Sequence, residues 1–344
     1  MKPACLITST VTDYRQEPFR MLAEAEQVEV LSYGDIGQRA VVRRVLGGRY
    51  RAVICGLGGR LALPGSYLAA RRAGIPFVLW ASIWSHPRTP AHLFSRLPTR
   101  MLYRRADAVA TYGPHVSRYV AERRGSEDGV FVATQAVSGE HFGRPVSEQE
   151  RRAARERAGA SGDAFLALFV GRLEREKGVP VLLQAWREAA LGADATLALA
   201  GEGPVPVAGE GVRALGRVSR EDLPALYAGA DVLVLPSIRT ATFTEPWGLV
   251  CNEAMHQSTP IVATDAVGAV AGGLVKDGHN GLVVPERDAA ALAARLRAIA
   301  YAPDLRARLG KAAHADVGAY TYAAWVGGMR DALAHASQHP IPRS

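Results

Sequence analysis

The sequence predicts an α/β chain of two doubly wound domains, each a parallel sheet covered by helices. Three observations lead there. Short runs rich in Val, Ile, Leu and Ala alternate with amphipathic stretches along the whole chain, the pattern of βαβ units. That rhythm stops once, near the middle, and then begins again. A length of 344 residues suffices for two domains of ordinary size.

In the first half the apolar runs place strands at 4–8, 28–32, 52–55, 77–80, 108–111 and 130–133. Helical patterns lie between them, as at 17–26 and 65–73. The interruption is residues 143–162, rich in charge and closed by Ala-Ser-Gly-Asp, with a solvated helix at 148–158. The domain boundary is set beside it, giving domains 1–159 and 160–319. Strands of the second half are expected at 165–170, 195–200, 212–215, 232–235, 261–263 and 282–284. Residues 320–336 form an amphipathic helix containing Trp325 and Met329, followed by a short tail. Ligands of such sheets bind outside the carboxyl ends of the strands, so two domains imply a site in the cleft between them.

Composition bounds the function. Apolar residues make up 48% and charged residues 22%, which excludes global disorder and implies a large core. No apolar run reaches the length of a membrane span, and MKPACLITST reads as a strand rather than a signal peptide. Cys5, Cys55 and Cys251 lie far apart in apolar contexts, so buried thiols are expected, with neither metal site nor disulfide framework. A cytoplasmic location follows as the expectation. The net charge of +8 belongs almost wholly to residues 1–150, which hold 20 Lys/Arg against 13 Asp/Glu. That excess suits an anionic acceptor, an acidic membrane surface or simple solubility. No nucleic-acid-binding signature accompanies it, so nucleic acid is not an expected partner.

The segment Glu245-Pro246-Trp247-Gly248-Leu249-Val250-Cys251-Asn252-Glu253 carries the most chemistry. Pro246 fits a first helical turn, which puts Glu245 just before the helix and Glu253 about two turns inside. At 1.5 Å per residue the carboxylates stand roughly 12 Å apart. That is too wide for one reacting bond, since paired glycosidase carboxylates lie about 5–9.5 Å apart. It suits holding two ends of one extended polar ligand. Amides near Gly248 and Leu249 would head the helix and offer an anion site. Upstream, a strand ends at Gly171, and Arg172 and Lys177 follow it. Two cations there suit a diphosphate clamp. Lys177 is one of only four lysines among 41 basic residues. Gly201-Glu202-Gly203-Pro204 ends the next strand as a tight turn, and residues 216–218 form a loop able to offer backbone groups to a base edge. Taken singly, these are a solvated rim, a turn and surface charge.

In order along the chain they say more: Gly-Arg-x5-Lys-Gly, Gly-Glu-Gly-Pro, Ala-Asp-Val-x-Val-x-Pro-Ser, Glu-x7-Glu, Pro260–Asp265 and Asp277-Gly278-x2-Gly281-Leu282-Val283-Val284-Pro285. The chain resembles glycosyltransferase family 4, retaining enzymes of GT-B fold with two Rossmann-like domains. The resemblance covers residues 165–325 closely and the first half mainly in architecture. It implies transfer of a sugar from a nucleotide-diphosphate sugar, with no cofactor and no metal required. By resemblance, Gly171, Arg172 and Lys177 hold the donor diphosphate, Glu253 the ribose hydroxyls and Glu245 the donor sugar. Gly248 and Leu249 would assist through their amides, and Val218 would lie by the base. The catalytic candidates are Arg172, Lys177, Glu245 and His86. Members of the family also cross their last helix, here 320–344, back onto the first domain.

The sequence departs from the family pattern in places. Ser258 stands where a small Gly is usual, and residues 271–273 lack an acid. The first domain has neither a Gly-Gly loop after its first strand nor a His directly after its fourth. His86, in Trp84-Ser85-His86-Pro87-Arg88-Thr89, lies a few residues beyond that place. It is either a group orienting the reacting sugar or a loop His bonded to backbone. Tyr14, Arg15 and His115 are further candidates for the acceptor side. Phe94, Leu97, Met101 and Leu102 with Arg96, Arg100, Arg104 and Arg105 form an amphipathic basic stretch interrupted by Pro98. It reads either as peripheral membrane contact or as core packing with a solvated rim. The expected function is sugar transfer to a polysaccharide, lipid-linked glycan or secondary metabolite. The alternative is an inactive sugar-nucleotide-binding subunit that supports a partner enzyme. A nicotinamide-dependent oxidoreductase is disfavoured, because no Gly-x-Gly-x-x-Gly follows the first strand.

Overall fold

The computed structural model describes residues 2–86 and 89–339, with side chains throughout except at 90–96. The chain divides into two units, Met1–Ala136 with Tyr320–Ser344, and Val137–Ala319.

The first unit is built on a six-stranded parallel sheet: β1 (Ala4–Thr8), β2 (Val28–Ser32), β3 (Val53–Gly56), β4 (Phe77–Ala81), β5 (Ala108–Thr111) and β6 (Val130–Val132). Their order is β2-β1-β3-β4-β5-β6. Successive side chains of a strand point to opposite faces, so a sheet covered on both sides needs apolar residues at every position. Cys5, Ile7, Val53, Cys55, Leu79 and Val109 feed one core, closed by Val41, Val45, Tyr103 and Tyr119. Ala4, Leu6, Ile54, Val78 and Trp80 feed the other. Its cover is Phe19 and Leu22 of the helix Asp13–Glu26, with Trp325, Met329 and Leu333 of the helix Tyr322–Gln338. The three cysteines are buried and free.

The second unit repeats the plan with β7 (Phe165–Val170), β8 (Ala195–Ala200), β9 (Val212–Gly216), β10 (Val232–Leu235), β11 (Ile261–Thr264) and β12 (Gly281–Val284). The order is β12-β11-β10-β7-β8-β9, all parallel. Winding reverses between β7 and β10, which are neighbours in the sheet. That switch point is where a doubly wound sheet opens a crevice.

Two local features differ from expectation. The charged helix Glu148–Arg157 is no spacer of the first domain; it belongs to the second unit, whose boundary falls at 136/137 rather than 159/160. Arg155 explains its attachment: Nη1 donates to Gly229 O at 2.6 Å and lies 3.4 Å from Asp231 Oδ2. The basic helix Pro90–Arg105 runs straight through Pro98 instead of stopping there, its second half held by buried Leu102 and Tyr103. Leu97 and Met101 stand exposed on the same helix, whereas the side chains of Phe94 and Arg96, and residue Arg88 entirely, lie outside the described residues. Among the described residues no helix is long and apolar enough to cross a membrane.

Candidate active site

The loops after β7 and β10 carry the chemistry, and their backbones are fastened together. Ile238 N donates to Glu176 O at 2.9 Å. Gly178 turns the first loop into its helix at φ +73°, and a Cβ there would stand 1.8 Å from Pro236 O. Only glycine permits both the left-handed turn and that approach. Beside it Gly171 N donates to Ala200 O and Leu173 N to Glu202 O, so the Gly201–Gly203 turn is a brace for this loop.

This fastening joins residues 68 positions apart: Lys177 Nζ lies 2.5 Å from Glu245 Oε2. Ser237 Oγ donates to the same oxygen at 3.0 Å, and the Phe243 ring centre lies 5.0 Å from Nζ. The Lys177 side chain is 16% exposed and that of Glu245 only 7%. The result is a nearly buried ion pair at the carboxyl end of the sheet, a costly arrangement that is held by complementary charge. Arg172 is different. It is 60% exposed and reaches Glu174 and Glu176, the latter at 3.4 Å.

Glu245 is followed by three non-helical residues, not directly by a helix. Glu245 bridges the backbone of Val267, and Gly268 has no Cβ to obstruct Pro246 O, which would lie 2.1 Å from one. Trp247 Nε1 donates to Asn252 Oδ1 at 2.7 Å. Gly248, at φ +95°, caps the helix Leu249–His256. Pro246 therefore precedes the helix, and Glu253 sits just over one turn inside it rather than two. The helical rise does not measure the Glu245–Glu253 separation.

Glu253 keeps some exposed edge, but its carboxylate is deep. Tyr227 OH donates to Oε2 at 2.6 Å. Burial pushes the Glu253 carboxyl up to about 7, opposed by the Tyr227 hydrogen bond and the charge of Arg220. Burial drives the Tyr227 hydroxyl well above its ordinary value, with the Glu253 charge adding to the effect. Val218 lies two residues past β9, partly buried, after a turn at Gly216 with φ +64°.

The first-unit candidates scatter. Arg15 does not face solvent, being 6% exposed. Its guanidinium lies 4.7 Å from the Trp80 ring centre, 5.4 Å from that of Tyr112 and 6.0 Å from that of Trp325. Nη2 donates to Tyr112 OH at 3.2 Å and to Gln135 Oε1. It ties the helix Asp13–Glu26 to the core aromatics; Tyr14 beside it is 38% exposed. His115 is buried at the start of the helix Pro114–Arg124, its ring edge-on to Trp84 at 5.3 Å. His86 is partly buried in the loop after β4. Among the described residues no group of three or more His, Cys, Asp or Glu is placed to hold a metal ion.

Sequence reading assigned no role to Tyr227, Ser237 or Phe243. Ser237 was the most visible, a hydroxyl that follows the all-apolar strand β10 after Pro236. Tyr227 and Phe243 acquire partners only through tertiary packing.

Residues 150–316 match the family model of glycosyl transferases group 1. The chain is 32% identical over 284 residues to D-inositol 3-phosphate glycosyltransferase of Streptomyces scabiei, covering 72% of this chain and 60% of that one. It is 28% identical over 299 residues to alpha-D-kanosaminyltransferase of Streptomyces kanamyceticus, covering 79% and 73%. The chain thus spans less than two thirds of the first of these relatives. Among solved structures, Anabaena Alr3699/HepE in complex with UDP and glucose superposes with TM-score 0.74 at 19% identity, covering 97% of this chain and 100% of that one. The fold is therefore GT-B.

Proposed function

We propose that this chain, whose residues 150–316 match the group 1 glycosyl transferases, is a retaining family 4 glycosyltransferase acting on a nucleotide-diphosphate sugar. The observation that carries the reading is the Lys177–Glu245 pair at the switch point between β7 and β10. A lysine ammonium beside an acceptor carboxylate suits a ligand whose diphosphate meets the cation and whose sugar hydroxyls meet the carboxylate. UDP and glucose in the Anabaena neighbour and the named sugar transferases among the relatives support the same substrate class.

In this mechanism Arg172 and Lys177 offset charge on the leaving diphosphate, with amides at Gly248 and Leu249 assisting. Glu245 orients the donor sugar and Glu253 the ribose. The acceptor hydroxyl attacks the anomeric carbon from the face the diphosphate leaves. Its proton passes to the departing diphosphate oxygen, so configuration is retained without a protein base. No step calls for a metal. The acceptor, a glycan, a lipid-linked glycan or a natural product, is assigned to the first unit, with His86, His115 and Tyr14 as the candidates that meet it. Peripheral contact with a membrane is part of the proposal only through exposed Leu97 and Met101 beside Arg100 and Arg104.

The test is nucleotide binding followed by turnover. A nucleoside diphosphate at 100 times its dissociation constant stabilises the protein by about 2.7 kcal/mol. Donor hydrolysis or transfer by the purified chain is expected, and Lys177→Ala is expected to lower it by about 10²–10³-fold. Binding without turnover would leave the inactive-subunit reading instead. Near-normal turnover in Lys177→Ala would remove the role given to that residue.

A further inference from the structure

The helix Leu223–Gly229 contributes one polar side chain to the neighbourhood of Glu253, and it is fully buried: Tyr227. A buried phenol usually finds a hydrogen-bond partner. Here it takes a carboxylate, at 2.6 Å. The tyrosine is held at both ends. Thr259 Oγ1 donates to its backbone carbonyl at 2.8 Å, and the Phe142 ring packs 6.4 Å from its ring centre. Among the described residues the hydrogen bond from Tyr227 is made to Oε2 of Glu253, and no protein donor meets Oε1.

We propose that Tyr227 is the positioning residue of the nucleotide site: its hydroxyl fixes one oxygen of Glu253, so that the other is presented to the ribose hydroxyls of the donor. The proposal rests on the reading of Glu253 as the ribose-binding carboxylate.

Two consequences follow from one bond. The first is orientation. A glutamate has three rotatable side-chain bonds, and anchoring one oxygen removes the freedom that ligand binding would otherwise have to restrict. The second is protonation. Ribose hydroxyls donate to the ionised carboxylate, so the site works only when Glu253 has lost its proton. Burial opposes that loss; the Tyr227 hydrogen bond favours it, as does the charge of Arg220 from the loop before the helix. The other groups facing this pair are the Cys251 thiol, on the same helix as Glu253, and the apolar Phe142 ring. Burial keeps the thiol protonated through the neutral range. If the phenol is lost, the charge of Arg220 is left to oppose burial by itself.

The test compares wild type with Tyr227→Phe, which keeps the ring against Phe142 and removes one oxygen. UDP, GDP and ADP are titrated against wild type by calorimetry, and the tightest is carried forward with its 2′,3′-dideoxy analogue. A hydrogen bond to a charged group is worth about tenfold in affinity. Tyr227→Phe is therefore expected to weaken the ribonucleotide about tenfold at pH 7.5 and the dideoxy analogue less than twofold. In a Glu253→Gln background the same substitution is expected to change neither. Between pH 5.5 and 9 the wild-type affinity rises and levels off, and in Tyr227→Phe the levelling moves to higher pH. Glu253→Gln supplies the profile contributed by the nucleotide's own phosphate. Equal losses for both ligands would assign Tyr227 a merely structural role and overturn the proposal, as would an unchanged affinity and pH profile. Failure of all three nucleotides to bind wild type would instead overturn the donor-site reading beneath it.

Discussion

Two carboxylates close together in the chain meet opposite conditions. Glu245 has Lys177 and Ser237 on one oxygen, so its charge is answered within the protein. Glu253 has a phenol, and its carboxyl is pushed up to about 7 by burial. A raised carboxyl favours the folded state most below its unfolded value, and that contribution is lost as pH climbs through 7. At pH 8 wild type therefore holds an ionised, buried carboxylate. Glu253→Gln, neutral at every pH, is expected to melt at least about 2 °C higher than wild type at pH 8. The gap should close below pH 4.5, where both side chains are neutral. Melting curves at pH 4, 6 and 8 check this, and a gap that does not depend on pH would point to packing instead. Such a gain would accompany lost nucleotide affinity, the usual exchange at a functional site. The pairing of the two glutamates was legible as a spacing, but its geometry was not. Pro246 gives the same signal before a loop as at a first helical turn, and Gly248 at φ +95° is what delays the helix. Arg15 was unreadable for a similar reason: its cage is drawn from Trp80, Tyr112, Gln135 and Trp325, widely separated in sequence.

At the level of elements, the site depends on how closely two loops approach. Gly178 allows it, having φ +73° and Pro236 O where a Cβ would stand. Gly178→Ala is expected to cost more than about 2 kcal/mol, adding steric overlap to the 1–3 kcal/mol of a left-handed non-glycine. It should also lower turnover, because Lys177 is its neighbour. Gly273→Ala is the control. It has φ +86° but nothing within 4 Å of the added carbon, so it pays only the backbone part and leaves turnover alone. Denaturant midpoints and donor turnover for both variants separate the two effects. The strands themselves were plainly legible. Of the twelve, six were read to the residue: 4–8, 28–32, 108–111, 165–170, 195–200 and 232–235 match the sheets observed at both ends. A strand buried on both faces has no polar position to blur its limits. Helices were more mixed: the charged helix was read to within one residue, but its attachment to the second unit, through Arg155, was not, and neither was the passage of helix through Pro98.

Across the whole molecule, the first unit is closed by a segment that follows the second. Trp325, Met329 and Leu333 cover Leu6, Ile54, Val78 and Trp80, and Phe19 and Trp325 rings lie 5.7 Å apart. A chain ending at Ala319 would leave that apolar face open. It is expected to aggregate or bind a hydrophobic dye at temperatures where the full chain does neither; a monomeric, dye-silent product would show that the helix is dispensable. Composition foretold the amphipathic helix, but its destination came only from the family resemblance, since a helix's apolar stripe does not name its partner.

The same closing helix sets an order of events during synthesis. Trp80 leaves the ribosome about 240 residues before Trp325, which at 5–20 residues per second is a wait of roughly 12–50 s. Throughout that interval the amino-terminal sheet is made but incomplete, while the nested unit, encoded by an uninterrupted stretch, is free to finish. The half that is translated first is therefore the half that matures last.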